Sequence, residues 1–172
     1  MQELVYREDT MKLEAMIHLI LDWYSSRQSR PDRMMCPSYL HKLCYLCDFG
    51  SYEKYDRSIS GTLYVRGAEG PVPILFHRAI RELLTDDKIV QSGNEILCAA
   101  PYMAKDRQAV TGQMLQSQDI DLILEVLNRY AEKSNSDLKY QIMKDTPYEA
   151  AERFQLIDYR MSGYRSDKTS LE

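Results

Sequence analysis

No apolar run in this chain approaches the roughly 18 residues that a bilayer-crossing helix needs. The opening Met1-Gln2-Glu3-Leu4 has neither the basic start nor the apolar core of a secretory signal. Both absences lead to the expectation of a cytoplasmic protein with no membrane partner, in which disulfides are not expected. Basic charge is also short. Lys and Arg number 22 against 26 Asp and Glu, a net charge of −4, which argues against a general polyanion binder because non-specific nucleic-acid affinity comes from cationic neutralisation of phosphates. A local basic patch is left open. Gly67-Ala68-Glu69-Gly70 is not followed by a Lys-Ser/Thr pair, so it does not read as a phosphate loop. There is no internal repeat, and no linker rich enough to divide the chain.

What remains is an ordinary globular composition, with 44% hydrophobic and 28% charged residues. A chain of 172 residues fits one domain and is long enough to bury around 70% of its unfolded surface. The expected organisation is one domain over 1–157 followed by a polar tail, 158–172, that is frayed or extended because it has no periodicity. The fold class expected is mainly α: a compact single-domain helical bundle with short β-hairpins as a minor component.

Helical spacing supports this reading. Asp9 or Thr10 caps a first helix whose core stripe is Leu13, Met16, Ile17 and Ile20, ending near Trp23 and Tyr24. Residues 25–31 read as a loop. A third helix from Pro73 buries Phe76, Ile80, Leu83 and Leu84, after a rigid junction at Pro71 and Pro73. Lys88 to Gln91 and Glu95 to Cys98 flank a Ser92-Gly93-Asn94 turn and read as a hairpin. Residues 101–116 carry no clear pattern. Ser117 or Asp119 begins another helix with Ile120, Ile123, Leu124 and Leu127 inward. Ser134 to Asp137 caps the next, carrying Leu138 and Ile142. Thr146-Pro147-Tyr148-Glu149 is the clearest start of all, with Thr146 as the cap of a helix running through Ala150, Ala151 and Phe154.

The second helix, from Pro37-Ser38 and losing its pattern around Gly50 to Tyr55, holds the residues with chemical potential. Cys36, His41, Cys44 and Cys47 fall within a dozen positions, and Cys44-Tyr45-Leu46-Cys47 is formally a C-x-x-C, so zinc or redox chemistry has to be weighed. Helical geometry opposes it. Leu40, Leu43, Cys44 and Cys47 form one apolar stripe, His41 is rotated away from Cys44, and Cys98, His18 and His77 supply no second ligand pair. The cysteines therefore read as small buried hydrophobes, with no metal and no cofactor. His18 and His77 read as surface or core-edge residues, and no acid, base and nucleophile combine into a catalytic site. Lys42, Tyr45 and Asp48 lie outside the stripe. Tyrosine is abundant, with 13 residues against one Trp; Tyr45, Tyr52, Tyr55 and Tyr64 cluster here either as an interaction surface or as core packing.

Three segments in succession, Lys42-Leu43-Cys44-Tyr45-Leu46-Cys47-Asp48, Asp56-Arg57-Ser58-Ile59-Ser60-Gly61 and Gly70-Pro71-Val72-Pro73, resemble the Panacea domain of SocA-like (GepA-like) antitoxins from prophages and toxin–antitoxin loci. Asp137-Leu138 and Pro147-Tyr148 fit that family's C-terminal pattern, whereas Met143 stands where a His is common, so no role resting on that His carries over. The resemblance spans roughly Tyr39 to Ala151. It implies an antitoxin that neutralises a cognate protein toxin by direct contact, with delivery to a protease as an adaptor left open. Partner contact is expected at exposed residues beside the motif: Tyr45, Asp48, Arg57 and Tyr64. Arg57 pairing internally with Asp48 is the alternative. The rival function is a DNA-binding regulator of its own operon or of a prophage, acting through the helix–hairpin segment 73–98. The candidate helix there opposes Arg78 and Arg81 with Glu82, Asp86 and Asp87, a face poorly suited to phosphate.

Overall fold

Helix α1 spans Thr10–Ser25, and its expected core stripe is buried together with most of its other residues from Leu13 to Trp23. The computed structural model describes residues 10–27, 35–93, 95–98 and 113–165; the readings made for Asp9, for residues 28–31 and 101–112, and for the tail over 166–172 fall outside these. The architecture is mainly α with a minor antiparallel β component. In order follow α2 (Pro37–Tyr55), β1 (Tyr64–Arg66), β2 (Pro71–Pro73), α3 (Phe76–Thr85), β3 (Ile89–Ser92), β4 (Glu95–Cys98), α4 (Ser117–Tyr130), α5 (Asn135–Ile142), the short α6 (Thr146–Ala150) and a 3-10 helix over Tyr159–Tyr164.

Helix α2 is the axis of the fold. Pro37 occupies its first turn, where no N–H is needed, and the helix continues beyond Gly50 to Tyr55, capped by Asp56 at φ 54°. The pattern expected to fail near Gly50 fails only as sequence. α2 is enclosed by α1, α4, α5, β2 and the 3-10 helix, so it is buried nearly all round and lacks the single apolar stripe of a surface helix.

Two small antiparallel sheets flank it. β3 and β4 pair in the expected hairpin, Ile89 opposite Cys98 and Ser92 opposite Glu95. Met35, at the approach to α2, pairs with Ile96 through reciprocal backbone bonds of 3.0 Å. β1 and β2 pair with Tyr64 opposite Pro73 and Arg66 opposite Pro71. The Pro-Val-Pro segment is thus a strand and not merely a junction, with prolines confined to a position where a lost donor is tolerated. Residues 154–157 lie along the other side of β1: Phe154 N–H donates to Arg66 O at 2.8 Å and Ile157 N–H to Tyr64 O at 2.8 Å.

Local signals set the later helix starts. At α4, Gln116 and Asp119 form a capping box; at α5, Ser134 and Asp137 do the same. Three expectations near the C-terminus are corrected. Asp145, not Thr146, is the N-cap residue of α6. That helix also stops at Ala150, because Ala151 turns to extended geometry and Phe154, at φ 64° and 62% exposed, belongs to the strand-like segment beside β1. Nor is the chain frayed from 158 to 165. The 3-10 helix buries Tyr159 and Ser162, because aromatic stacking and a buried ion pair replace the missing helical periodicity.

Candidate functional site

Tyr45, Asp48 and Tyr64, expected to be exposed contact residues, are all buried with 0% exposure. The correction follows from the enclosure of α2: positions off the Leu40–Cys47 stripe meet the β1–β2 hairpin and the C-terminal segment, not solvent. The aromatic cluster is therefore core at Tyr45 and Tyr64. Phe49 stacks between Tyr45 and Tyr159, with ring centres 4.3 Å from each, and Tyr64 meets Tyr45 and Phe49 edge-on. Tyr52 stacks on Tyr159 at 5.4 Å, while Tyr55 is 41% exposed.

Three polar anchors run along α2. Asp48 accepts from the backbone N–H of Ser60 at 2.7 Å, the Ser60 hydroxyl at 2.5 Å and the Tyr64 phenol at 2.7 Å. Gly61, at φ 72°, supplies the left-handed turn after Ser60 that carries the chain on into β1. Burial pushes the Asp48 carboxyl up to about 6, against the downward pull of those hydrogen bonds. Tyr45 donates to Asp145 Oδ2 at 2.6 Å, and Asp145 also accepts both arms of Arg165, from Nε at 3.0 Å and Nη2 at 2.8 Å.

Lys42 is the third anchor. It is 1% exposed, and its Nζ donates to Ser38 O at 3.0 Å and Asn135 Oδ1 at 2.9 Å, both neutral acceptors. Burial lowers its pKa, while the Cys36 thiol and the Glu69 carboxylate act in the opposite sense. Gly70 closes over it at φ +136°, where an added Cβ would lie 3.1 Å from Lys42 Cε. Asn135 is itself fixed by donation to Ser38 Oγ at 3.0 Å, so this cluster ties α5 to the start of α2.

Arg57 pairs internally, but not with Asp48. Its Nη2 lies 2.7 Å from Asp119 Oδ1, and Asp119 is the residue whose other oxygen accepts from Gln116 N–H at the start of α4. Its side chain keeps 37% exposure. Sequence reasoning placed Lys42 and Ser60 in the motif segments without a role and missed Asn135, Asp145 and Arg165. The polarity of Asp145 immediately before the Thr-Pro helix start was a usable signal; nothing local marks Arg165.

Cys44 and Cys47 are completely buried, and burial pushes both thiols well above their ordinary range. They are core side chains, as the stripe indicates. Cys36 is half-buried, 3.7 Å from Ser38 Oγ. Among the described residues no group of three or more His, Cys, Asp or Glu is placed to hold a metal ion. His41 lies edge-on to Phe76 at 4.1 Å, its buried Nε2 makes no hydrogen bond, and burial reinforced by Lys42 and His77 lowers its pKa to about 4. His18 is buried at 5% exposure, and His77 is exposed.

Asp48, Tyr45 and Lys42 thus form a scaffold of hydrogen-bonded buried polar groups, organised around the three motif segments. The family model for the SocA-like antitoxin, Panacea domain, matches residues 40–149, well over half of the chain. The chain belongs to the SocA-like antitoxin family. No curated protein and no solved structure matches it. In this Panacea domain the matched span begins at Leu40 on α2 and ends at Glu149 in α6, and so contains all three anchors of α2 but not Arg165. An antitoxin-type role and a toxin partner in general follow from the family. Among the described residues no helix is long and apolar enough to cross a membrane.

Proposed function

We propose that this Panacea domain neutralises a cognate protein toxin by direct, non-catalytic contact. The family match over residues 40–149 carries the reading. The structure supports it indirectly: the polar groups of the motif are engaged in holding α2, the first hairpin and the α5–α6 region together. The contact surface is therefore built from side chains outside the buried network. Arg57, partly exposed beside the motif, is the member of the expected set that reaches solvent, while Tyr45, Asp48 and Tyr64 act by fixing the frame around it. Delivery of the bound toxin to a protease is an extension of the same binding reaction.

DNA binding through α3 and its hairpin draws little support from the surface there. Arg78 and Arg81 are exposed together with Glu82, Asp86 and Asp87, and Asp86 pairs with Lys88 at 3.2 Å. Such a mixed face offers few free cations to phosphate. The test of the main reading is co-expression with the protein encoded by the adjacent gene. Growth should recover and a complex should be retrievable; unchanged toxicity without a complex would remove the direct-contact proposal.

A further inference from the structure

Arg165 sends its side chain inward directly after two exposed residues. Gly163 and Tyr164 are exposed, Tyr164 at 73%, whereas the Arg165 side chain is 1% exposed. Its Nε and Nη2 meet the two oxygens of Asp145 as a fork, at 3.0 and 2.8 Å, and its Nη1 lies 3.4 Å from Glu53 Oε2. The rings of Tyr45 and Phe49 stand 5.9 and 6.0 Å from its central carbon. Two parallel donors on one carboxylate, a second carboxylate on the remaining nitrogen and aromatic walls suit a planar delocalised cation and not a lysine ammonium. Burial works against the charge, yet Asp145, Tyr45 and Glu53 outweigh it and hold the Arg165 pKa above its ordinary value.

The pocket and its occupant come from different parts of the chain. Glu53, Asp145, Tyr45 and Phe49 all lie within the family span 40–149, and Arg165 lies beyond it. The segment that brings Arg165 in is held by ring stacking of Tyr159 on Phe49 and Tyr52 and by the Thr146 hydroxyl donating to Tyr164 O at 2.9 Å. We infer that Glu53, Asp145, Tyr45 and Phe49 form a guanidinium-binding pocket whose resident ligand is Arg165, so that residues 159–165 are a latch whose cation can be replaced by an arginine side chain or guanidinium ion supplied in trans.

The experiment is chemical rescue of the full-length Arg165→Ala protein, read by thermal unfolding at constant ionic strength. Removing the cation takes two charge-assisted hydrogen bonds from the buried Asp145 carboxylate and lowers Tm by roughly 10 °C. Millimolar guanidinium chloride, or N-acetylarginine amide, restores part of that loss saturably, while methylammonium and sodium chloride do not. The wild type, its pocket filled, shows no saturable gain. Arg165→Lys recovers less than the guanidinium-loaded alanine variant. Should Arg165→Ala be unfolded at room temperature, guanidinium-dependent recovery of the helical circular dichroism signal takes the place of Tm. Adding Asp145→Asn to Arg165→Ala abolishes the response. A variant that melts with the wild type, or one that responds equally to methylammonium, overturns the proposal.

Discussion

Tyr64 donates its phenolic hydrogen to Asp48 at 2.7 Å, fastening the first hairpin to the central helix across a boundary that excludes water. Burial at that boundary raises the Asp48 carboxyl to about 6, against the downward pull of the hydrogen bond itself. Seven positions earlier on α2, His41 is shifted the other way, to about 4, again chiefly by burial. Between about pH 4 and 6 the folded protein holds a proton on Asp48 that the unfolded chain has lost, so this group's contribution to stability falls as pH rises. Over nearly the same window the folded protein lacks a proton that an unfolded His41 carries, so that contribution rises with pH. The two oppose each other, and the wild type should show a muted net response from them.

Single substitutions separate the pair. Relative to wild type, Asp48→Asn should gain in stability by about 3 kcal/mol between pH 4 and pH 7, because the proton-dependent penalty of Asp48 is gone. His41→Leu should show the reverse, with its advantage over wild type largest near pH 4 and shrinking by a similar amount as pH rises. Urea unfolding of all three proteins across that range measures both; a pH-independent difference for either variant would show that its group does not titrate as the burial requires.

The Lys42–Asn135 contact sets an order of severity. Asn135→Ala leaves the buried ammonium with one acceptor and should cost about 2 kcal/mol or more, whereas Lys42→Met removes the charge itself and should cost less. Gly70→Ala should destabilise the wild type, because its φ of +136° disfavours a side chain and the new Cβ meets Lys42 Cε at 3.1 Å. Denaturant midpoints for the three variants give the ranking.

Accessibility of the α2 thiols is a further check. In a Cys36→Ala/Cys98→Ala background, Cys44 and Cys47 should resist a thiol-specific reagent in the native protein and react on unfolding, since both are fully buried and held protonated. Prompt stoichiometric labelling without denaturant would contradict their place in the core.

Much of the fold was legible because its signals are local. Leu13, Met16, Ile17 and Ile20 share a helical face, Ser92-Gly93-Asn94 lies between two short apolar runs, and Ser134 stands three positions before Asp137. The site was far less legible. Tyr45, Asp48 and Tyr64 look polar enough for solvent, and their burial depends on partners distant in sequence: Asp145, Ser60 and the hairpin itself. Arg165 sits in a stretch with no periodicity, and that stretch is ordered by partners distant in sequence, the carboxylate 20 positions before it and the rings that stack on Tyr159. The three motif segments identify the family because the fold needs them at the junction of α2 with the first hairpin.

Tyr45 and Arg57 separate frame from surface. Tyr45→Phe loses a hydrogen bond to a buried carboxylate and should cost about 1.5–3 kcal/mol of stability, while leaving toxin affinity of the folded protein unchanged. Arg57→Ala, which leaves the buried Asp119 carboxylate with its Gln116 N–H partner, should cost about 1–2 kcal/mol and, unlike Tyr45→Phe, weaken toxin binding. Unfolding curves paired with calorimetric titrations of toxin distinguish the two effects.

The most direct measurement is binding between the purified chain and the purified product of the adjacent gene. A stable complex with sub-micromolar affinity, and loss of the toxin's activity in proportion to complex formed, is the expected result. Absence of a complex together with undiminished toxin activity at saturating concentrations of this protein would contradict neutralisation by direct contact.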